Sequence, residues 1–207
     1  MNSKIEEKNK NASTIVAVAS STGGPKALQT VIPALPANLD AAVVIVQHMP
    51  RGFTFSLAQR LNDISPIVVK EAKDGEMLCN GVVYIAPGGE HIEIVQRNGK
   101  HYINFNSSEP IGGLKPCANI MYESLSKCDF KKYVCVVLTG MGSDGTKGIR
   151  CMSDNATIKS RMTVLAQDRT SCVVYGMPKA VAVEGLADEI VTLNEMSEKI
   201  ITKVGVS

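Results

Sequence analysis

Three polar clusters in the sequence contain side chains that together can perform nucleophilic acyl transfer. The first cluster contains Ser20 and Ser21, the second contains His48, and the third contains Asp144. A serine can attack a carbonyl carbon, a histidine can take and return its proton, and a carboxylate can orient the imidazole. Each cluster directly follows an apolar run that is typical of a buried strand. The residues therefore predict a serine hydrolase, with the nucleophile open between Ser20 and Ser21.

Glycines flank two of these clusters. Gly23 and Gly24 follow the serines at the predicted start of a helix, where free backbone N–H groups would stabilise an oxyanion. The segment Gly140–Gly145 offers further backbone donors near Asp144. A helix cap with a tight turn is the simpler interpretation of the first cluster, and a phosphate site is another. The Rossmann pattern and the P-loop pattern are both missing from the sequence.

The elements that must position these side chains alternate between apolar strands and helices. Strands are predicted at 14–19, 41–46, 66–71, 82–86, 133–138, 163–166 and 189–193, and helices at 26–35, 53–61, 116–128, 147–152, 177–183 and 195–204. Strands that are apolar on both faces indicate a parallel sheet covered on both sides. Around Asn98 and Gly99, alternating apolar and polar residues indicate a hairpin. We therefore predict a doubly wound α/β fold with a mostly parallel sheet, helices on both faces and an antiparallel β-hairpin near residues 91–105. Ligands of such sheets bind beyond the carboxyl ends of the strands, where the three clusters lie.

Composition excludes several classes of protein. The chain has 207 residues, 22 Lys and Arg against 20 Asp and Glu, and a net charge of +2. Without a basic block, nucleic-acid binding is not expected. No apolar run reaches the roughly 20 residues of a membrane span, and no signal-peptide core is present at the start. The six cysteines are scattered without a C-x-x-C pair, so we expect a cytoplasmic protein without a metal site.

Several longer motifs resemble one family, the bacterial chemotaxis protein-glutamate methylesterases. The motifs are SSTGGP at 20–25, QHMPRGF at 47–53, APG at 86–88, LTGMGSDG at 138–145 and SCVVYGMP at 171–178. The similarity runs from about Thr14 almost to the end of the chain. It implies an enzyme without a cofactor that hydrolyses glutamate methyl esters on the cytoplasmic helices of chemoreceptors and releases methanol. Many members of the family also deamidate receptor glutamines.

The resemblance also implies a role for individual residues. Ser21 corresponds to the nucleophile, His48 to the general base and later acid, and Asp144 to the residue that orients His48. Thr22 and Met141 occupy positions that support the serine–histidine pair and the oxyanion site. Ala19 departs from the family, which often has glycine two residues before the nucleophile.

The domain organisation follows from the same resemblance. Residues 1–13 are expected to form a flexible leader or linker stub, and residues 14–207 the catalytic domain. Family members usually carry a receiver domain before the catalytic domain, and thirteen residues cannot form one. We therefore expect a stand-alone esterase or a trimmed catalytic domain, with chemoreceptor helices as the partner and a monomeric state. A catalytically silent receptor-binding module and a phosphate- or nucleotide-binding domain are the alternative functions.

Overall fold

A seven-stranded parallel sheet forms the centre of the molecule. The computed structural model describes residues 11–205, and the strand order in the sheet is β3-β4-β2-β1-β7-β8-β9. The strands of this sheet are β1 (Thr14–Ser20), β2 (Ala42–Gln47), β3 (Val68–Glu71), β4 (Val82–Ile85), β7 (Lys132–Val137), β8 (Met162–Gln167) and β9 (Glu189–Val191). Because β2 lies on one side of β1 and β7 on the other, the strand order reverses direction at β1. This is the position where doubly wound sheets place their ligand sites.

Helices cover both faces of the sheet. They are α1 (Gly24–Val31), α2 (Phe53–Ile64), α3 (Ala118–Leu125), α4 (Thr146–Asp154), α5 (Ala156–Lys159), α6 (Met177–Val183) and α7 (Met196–Val204), and a 3-10 turn at Ile32–Ala34 follows α1. Helices α1, α2 and α7 pack in one apolar core, and α3 to α6 pack in the other. None of the helices between residues 11 and 205 is long and apolar enough to cross a bilayer.

Alternate residues of β1 supply the two cores. Ile15, Ala17 and Ala19 belong to the core beneath α3, whereas Val16 and Val18 belong to the core beneath α1. Successive side chains of a strand point to opposite faces, so a strand buried on both faces must be apolar throughout. The apolar runs that predicted this sheet have that physical origin, and the predicted fold class is confirmed.

A separate antiparallel hairpin packs beside α3. It consists of β5 (His91–Arg97) and β6 (Lys100–Asn106), with Asn98 and Gly99 in the turn at positive φ. Ile92, Ile94 and Ile103 face the core that contains α3. The hairpin prediction is therefore confirmed with its turn residues.

The start of the described chain is packed against the domain. Ala12 is buried, and its N–H donates to Leu78 O at 2.9 Å. Residues 1–10 of the predicted leader lie outside the described residues. The division between leader and domain stays a prediction.

Candidate active site

The ends of β1 and β2 bring Ser21 and His48 to the same level of the sheet. In the parallel register Ser20 pairs with Gln47, so the next residue of each strand leaves the sheet beside the other. The His48 N–H donates to Ser20 O at 3.1 Å. On the other side, the Ser21 N–H donates to Thr139 O at 3.0 Å, which ties Ser21 to the end of β7. The predicted nucleophile and base therefore lie at adjacent strand ends.

Asp144 reaches the same place from the loop after β7. His48 Nε2 and Asp144 Oδ2 are 2.7 Å apart, and the two side chains are 9% and 5% exposed. An ionised carboxylate accepts hydrogen bonds only, so it holds the ring proton on Nε2. Nδ1 is then the nitrogen that can accept a proton from a nucleophile.

The first turn of α3 binds the carboxylate of Asp144. The backbone N–H groups of Ala118 and Asn119 donate to it at 2.6 and 3.0 Å, and the thiol of Cys117 donates at 3.1 Å. Burial alone would raise the pKa of Asp144, but the hydrogen bonds from His48, Ala118, Cys117 and Asn119 together hold it below the ordinary 3.8. The N-terminus of a helix stabilises an anion in this way. Asp144 therefore carries a negative charge next to His48 at neutral pH.

The two serines have different surroundings. Ser20 is fully buried and its hydroxyl donates to Gln47 Oε1 at 2.7 Å, whereas Ser21 is half-buried. Within the described part of the chain, no hydrogen bond joins the Ser21 hydroxyl to His48. A serine hydroxyl turns by rotation about χ1, and catalytic hydrogen bonds often close only when substrate is bound. Of the two serines, Ser21 is the more accessible, and its role as nucleophile stays a prediction.

Thr22 and Met141 lie at the solvent side of the same edge. Thr22 is exposed and begins the turn before α1, and the Met141 side chain is 75% exposed. In residues 11–205, the backbone N–H groups of Thr22 and Met141 have no protein acceptor. Such groups are available to an oxyanion. The support of the oxyanion by Thr22 and Met141 stays a prediction.

Two glycines allow the close approach of segments around Ser21. A Cβ at Gly24 would lie 2.0 Å from Gln47 Oε1, and a Cβ at Gly140 would lie 2.3 Å from Met177 Sδ and 2.8 Å from Ser21 Cβ. Those separations are shorter than any real contact of a Cβ. A side chain at either position would push apart the elements that carry the site.

Several residues of the site have no role in the sequence prediction. Gln47 bridges the ends of β1 and β2, and Cys117 and Asn119 bind Asp144. His91 is buried, and its Nδ1 accepts the Cys117 N–H at 3.1 Å while Nε2 lies 3.2 Å from Glu109 O. In the sequence, Gln47 is recognisable as a polar residue at the end of an otherwise apolar strand. The residues around 117 gave no such signal, since they lie far from Asp144 in the sequence.

The thiol of Cys117 lies in this site against Asp144. Burial, then the charge of Asp144 and the hydrogen bond to it, raise the pKa of the Cys117 thiol to about 12. The thiol therefore stays protonated and acts as a donor. The described residues contain no group of three or more His, Cys, Asp or Glu side chains that could hold a metal ion.

Comparison with known proteins links this geometry to one family. Residues 16–200 match the family model described as CheB methylesterase. Protein-glutamate methylesterase/protein-glutamine glutaminase 1 of Syntrophomonas wolfei is 44% identical over 202 residues, which are 96% of this chain and 56% of that protein. The Bacillus subtilis protein-glutamate methylesterase/protein-glutamine glutaminase is 47% identical over 186 residues, which are 90% of this chain and 51% of that protein. The chain thus spans about half the length of the curated relatives it matches.

A solved structure is similar over nearly the same region. The crystal structure of the Thermotoga maritima CheB methylesterase catalytic domain superposes with a TM-score of 0.85 at 44% sequence identity. The match covers 91% of this chain and 97% of that one. This chain therefore shares the fold of that catalytic domain over almost its whole length.

Proposed function

Because the chain belongs to the CheB methylesterase family, we propose that it is a serine hydrolase that demethylates glutamate methyl esters. The substrate in this proposal is a methylated glutamate on a cytoplasmic helix of a chemoreceptor, and the product is methanol. The relatives from Syntrophomonas wolfei and Bacillus subtilis are also named as protein-glutamine glutaminases. We extend the proposal to deamidation of receptor glutamines by the same residues.

The observation that carries the proposal is the hydrogen bond between His48 and Asp144 beside Ser21. The 2.7 Å contact between a buried carboxylate and an imidazole Nε2 leaves Nδ1 for the nucleophile. Ser21 lies at the adjacent strand end and is the more accessible of the two serines. This arrangement supports acyl transfer in which the Ser21 hydroxyl attacks, His48 takes its proton and Asp144 orients His48.

The reaction proceeds in two halves. Ser21 Oγ attacks the ester carbonyl while its proton passes to His48 Nδ1, and the charge that develops on the carbonyl oxygen is stabilised by backbone N–H groups near Thr22 and Met141. His48 then returns the proton to the leaving methoxide, and methanol departs from an acyl-enzyme. Water, deprotonated by His48, hydrolyses the acyl-enzyme and restores Ser21. With a glutamine substrate the leaving group is ammonia, and the other steps are the same.

The open carboxyl edge of the sheet suits a substrate that belongs to another protein. Thr22 and Met141 are exposed around the half-buried Ser21. A glutamate side chain on the surface of a helix can reach the hydroxyl without entering a closed cavity. Catalysis needs neither cofactor nor metal in this scheme.

Methanol release from methylated receptor tests the proposal. Ser21→Ala removes the nucleophile, and we expect the rate to fall by about 10⁴-fold or more. Ser20→Ala is the matched control, because Ser20 is fully buried and bonded to Gln47. We expect its rate to stay within about tenfold of the wild type, since only one buried hydrogen bond is lost.

Other outcomes of the same experiment distinguish the alternatives. Activity retained by Ser21→Ala and lost by Ser20→Ala would transfer the nucleophile to Ser20. Tight binding of receptor without methanol release by the wild-type protein would support a silent binding module. Thermal stabilisation by nucleotides together with inertness to serine-directed phosphonates would support a nucleotide-binding domain.

A further inference from the structure

Gln47 is a fully buried amide at the end of β2, directly before His48. It is 1% exposed and lies between the ends of β1 and β2. Burying a polar side chain at a strand end is costly unless its donors and acceptor are satisfied. Within the described residues, three hydrogen bonds satisfy this amide.

These three bonds connect Gln47 to both strand ends. Its Oε1 accepts the Ser20 hydroxyl at 2.7 Å. Its Nε2 donates to Ser21 O at 3.0 Å and to His48 O at 3.1 Å. The amide therefore binds the backbone carbonyls of both residues that exchange a proton in the proposed reaction.

A neighbouring glycine makes this arrangement possible. Gly24 approaches so closely that a Cβ there would lie 2.0 Å from Gln47 Oε1 and 2.9 Å from Ser20 Cβ. The turn after β1 is thus packed directly onto the amide. The two carbonyls can only accept, so they fix the NH₂ end of the amide towards them, and the Ser20 hydroxyl donates to the oxygen at the other end.

We propose that Gln47 is a positioning residue that fixes the distance between Ser21 and His48 by holding their carbonyls with one NH₂ group. The inference rests on the proposed serine hydrolase function. Pairing in the sheet ends at Ser20 and Gln47. Beyond that point the Ser21 N–H donates to Thr139 O at 3.0 Å and the Gly24 N–H to Ser21 O at 2.8 Å, and the Gln47 amide adds a side-chain link between the carbonyls of Ser21 and His48. A displacement of about 1 Å between reacting groups costs about 10²-fold in rate.

The rate at which a fluorophosphonate labels Ser21 measures the reactivity of its hydroxyl, which depends on the transfer of its proton to His48. The label forms a bond from Ser21 Oγ to phosphorus and expels fluoride, and intact mass and peptide mapping locate it. This assay needs no receptor, so it is independent of how the natural substrate binds. We expect Gln47→Met, which keeps the size but loses all three hydrogen bonds, to label about 10²-fold more slowly.

Gln167 provides a matched control at another strand end. It is also fully buried, and its Oε1 accepts the Thr139 N–H at 2.8 Å while its Nε2 donates to Ser171 O at 2.8 Å. It contacts neither Ser21 nor His48 through these bonds. Gln167→Met should lower the melting temperature as Gln47→Met does, but its labelling should slow by less than about tenfold.

Gln47→Glu gives a readout that a merely structural role would not move. Ionised, the carboxylate turns an oxygen towards two carbonyl oxygens and repels them. Protonated, its O–H can donate to one of them. The labelling rate of Gln47→Glu relative to the wild type should therefore rise as the pH falls. Because glutamate is close to glutamine in volume, this variant also serves as the test if Gln47→Met fails to fold.

Each outcome of these labelling experiments either supports or overturns the positioning role of Gln47. Slow labelling of Gln47→Met with near-normal labelling of Gln167→Met supports the inference, as does the pH-dependent ratio of Gln47→Glu. Equal rates for Gln47→Met and wild type, equal losses in both Met variants, or a ratio for Gln47→Glu that does not change with pH overturn it. A wild-type protein that is not labelled at Ser21 rejects the proposed function itself.

Discussion

Replacing Asp144 by asparagine tests whether the carboxylate controls the protonation of His48. In the wild-type protein, Oδ2 accepts from His48 Nε2 at 2.7 Å and from the Ala118 N–H at 2.6 Å. Oδ1 accepts from the Asn119 N–H at 3.0 Å and from the Gly145 N–H at 2.9 Å, with the Cys117 thiol also present. A carboxamide has a single acceptor oxygen, so one of the two sets of donors must lose its acceptor.

The number of donors at each oxygen of Asp144 decides which set loses its acceptor in the Asp144→Asn variant. With the amide oxygen at the Oδ2 position, the NH₂ group faces two backbone N–H groups and the Cys117 thiol; the Asn119 N–H is orphaned, and the Gly145 N–H keeps only Asn119 Oδ1 at 3.0 Å. With the oxygen at the Oδ1 position, Ala118 is the orphaned backbone donor, at a cost of about 1–3 kcal/mol. The second arrangement is therefore favoured. It turns the NH₂ group towards His48 Nε2, which must then accept, and the ring proton moves to Nδ1.

In the proposed reaction, that tautomer cannot accept the proton of Ser21. We expect kcat to fall by about 10⁴-fold, which corresponds to about 5.4 kcal/mol of transition-state stabilisation. Hydrolysis of an activated ester and fluorophosphonate labelling measure the loss, and thermal unfolding measures the cost in stability. Asp188→Asn is the control, because that carboxylate also accepts a backbone N–H, from Val164 at 2.7 Å, and makes no hydrogen bond to Ser21, His48 or Asp144. A kcat for Asp144→Asn within about tenfold of the wild type would refute the reasoning.

Two further predictions concern the surroundings of Asp144. Because the pKa of Asp144 is held below 3.8, its stabilising effect is complete above that value and is lost as the pH falls through the lower folded-state pKa. The difference in melting temperature between wild type and Asp144→Asn should therefore shrink below pH 3.8, and a difference that stays constant to pH 2 would contradict this. Since the pKa of Cys117 is raised to about 12 and the residue is buried, iodoacetamide at pH 8 should alkylate the exposed Cys151 and spare Cys117 in the folded protein. Peptide mass mapping checks the alkylation pattern, and modification of Cys117 at the rate of Cys151 would disprove it.

Much of the fold could be predicted because a strand that is buried on both faces of a sheet is recognisable in the sequence as an unbroken apolar run. The runs at 14–19, 41–46 and 133–138 are apolar without alternation, as strands of a covered parallel sheet must be. The Asn98-Gly99 turn fixed the hairpin, since its backbone needs positive φ at both positions. The prediction did not include α5 and ended α2 at residue 61 instead of Ile64. A four-residue helix carries too little periodicity to detect, and helix ends depend on packing.

The choice between the two serines depended on the tertiary structure or on the resemblance. Both faces of β1 are covered, so the exposure of each serine depends on where the strand ends, and it ends at Ser20. The residues alone do not say which of the two serines is buried. In the structure Ser20 is fully buried against Gln47, and Ser21 is left half-buried.

The amino-acid sequence by itself determined that a hydroxyl, an imidazole and a carboxylate follow three strands of one parallel sheet. Chain direction and sheet topology bring such strand ends to a common edge whatever the other side chains do. The tertiary structure decided what holds these groups in place. Asp144 is bound by N–H groups of α3 more than 20 residues earlier in the chain, and Gln47 binds the Ser21 carbonyl just beyond the end of the neighbouring strand. These hydrogen bonds depend on distances between separate elements, which packing of the two cores sets and no local pattern of residues records.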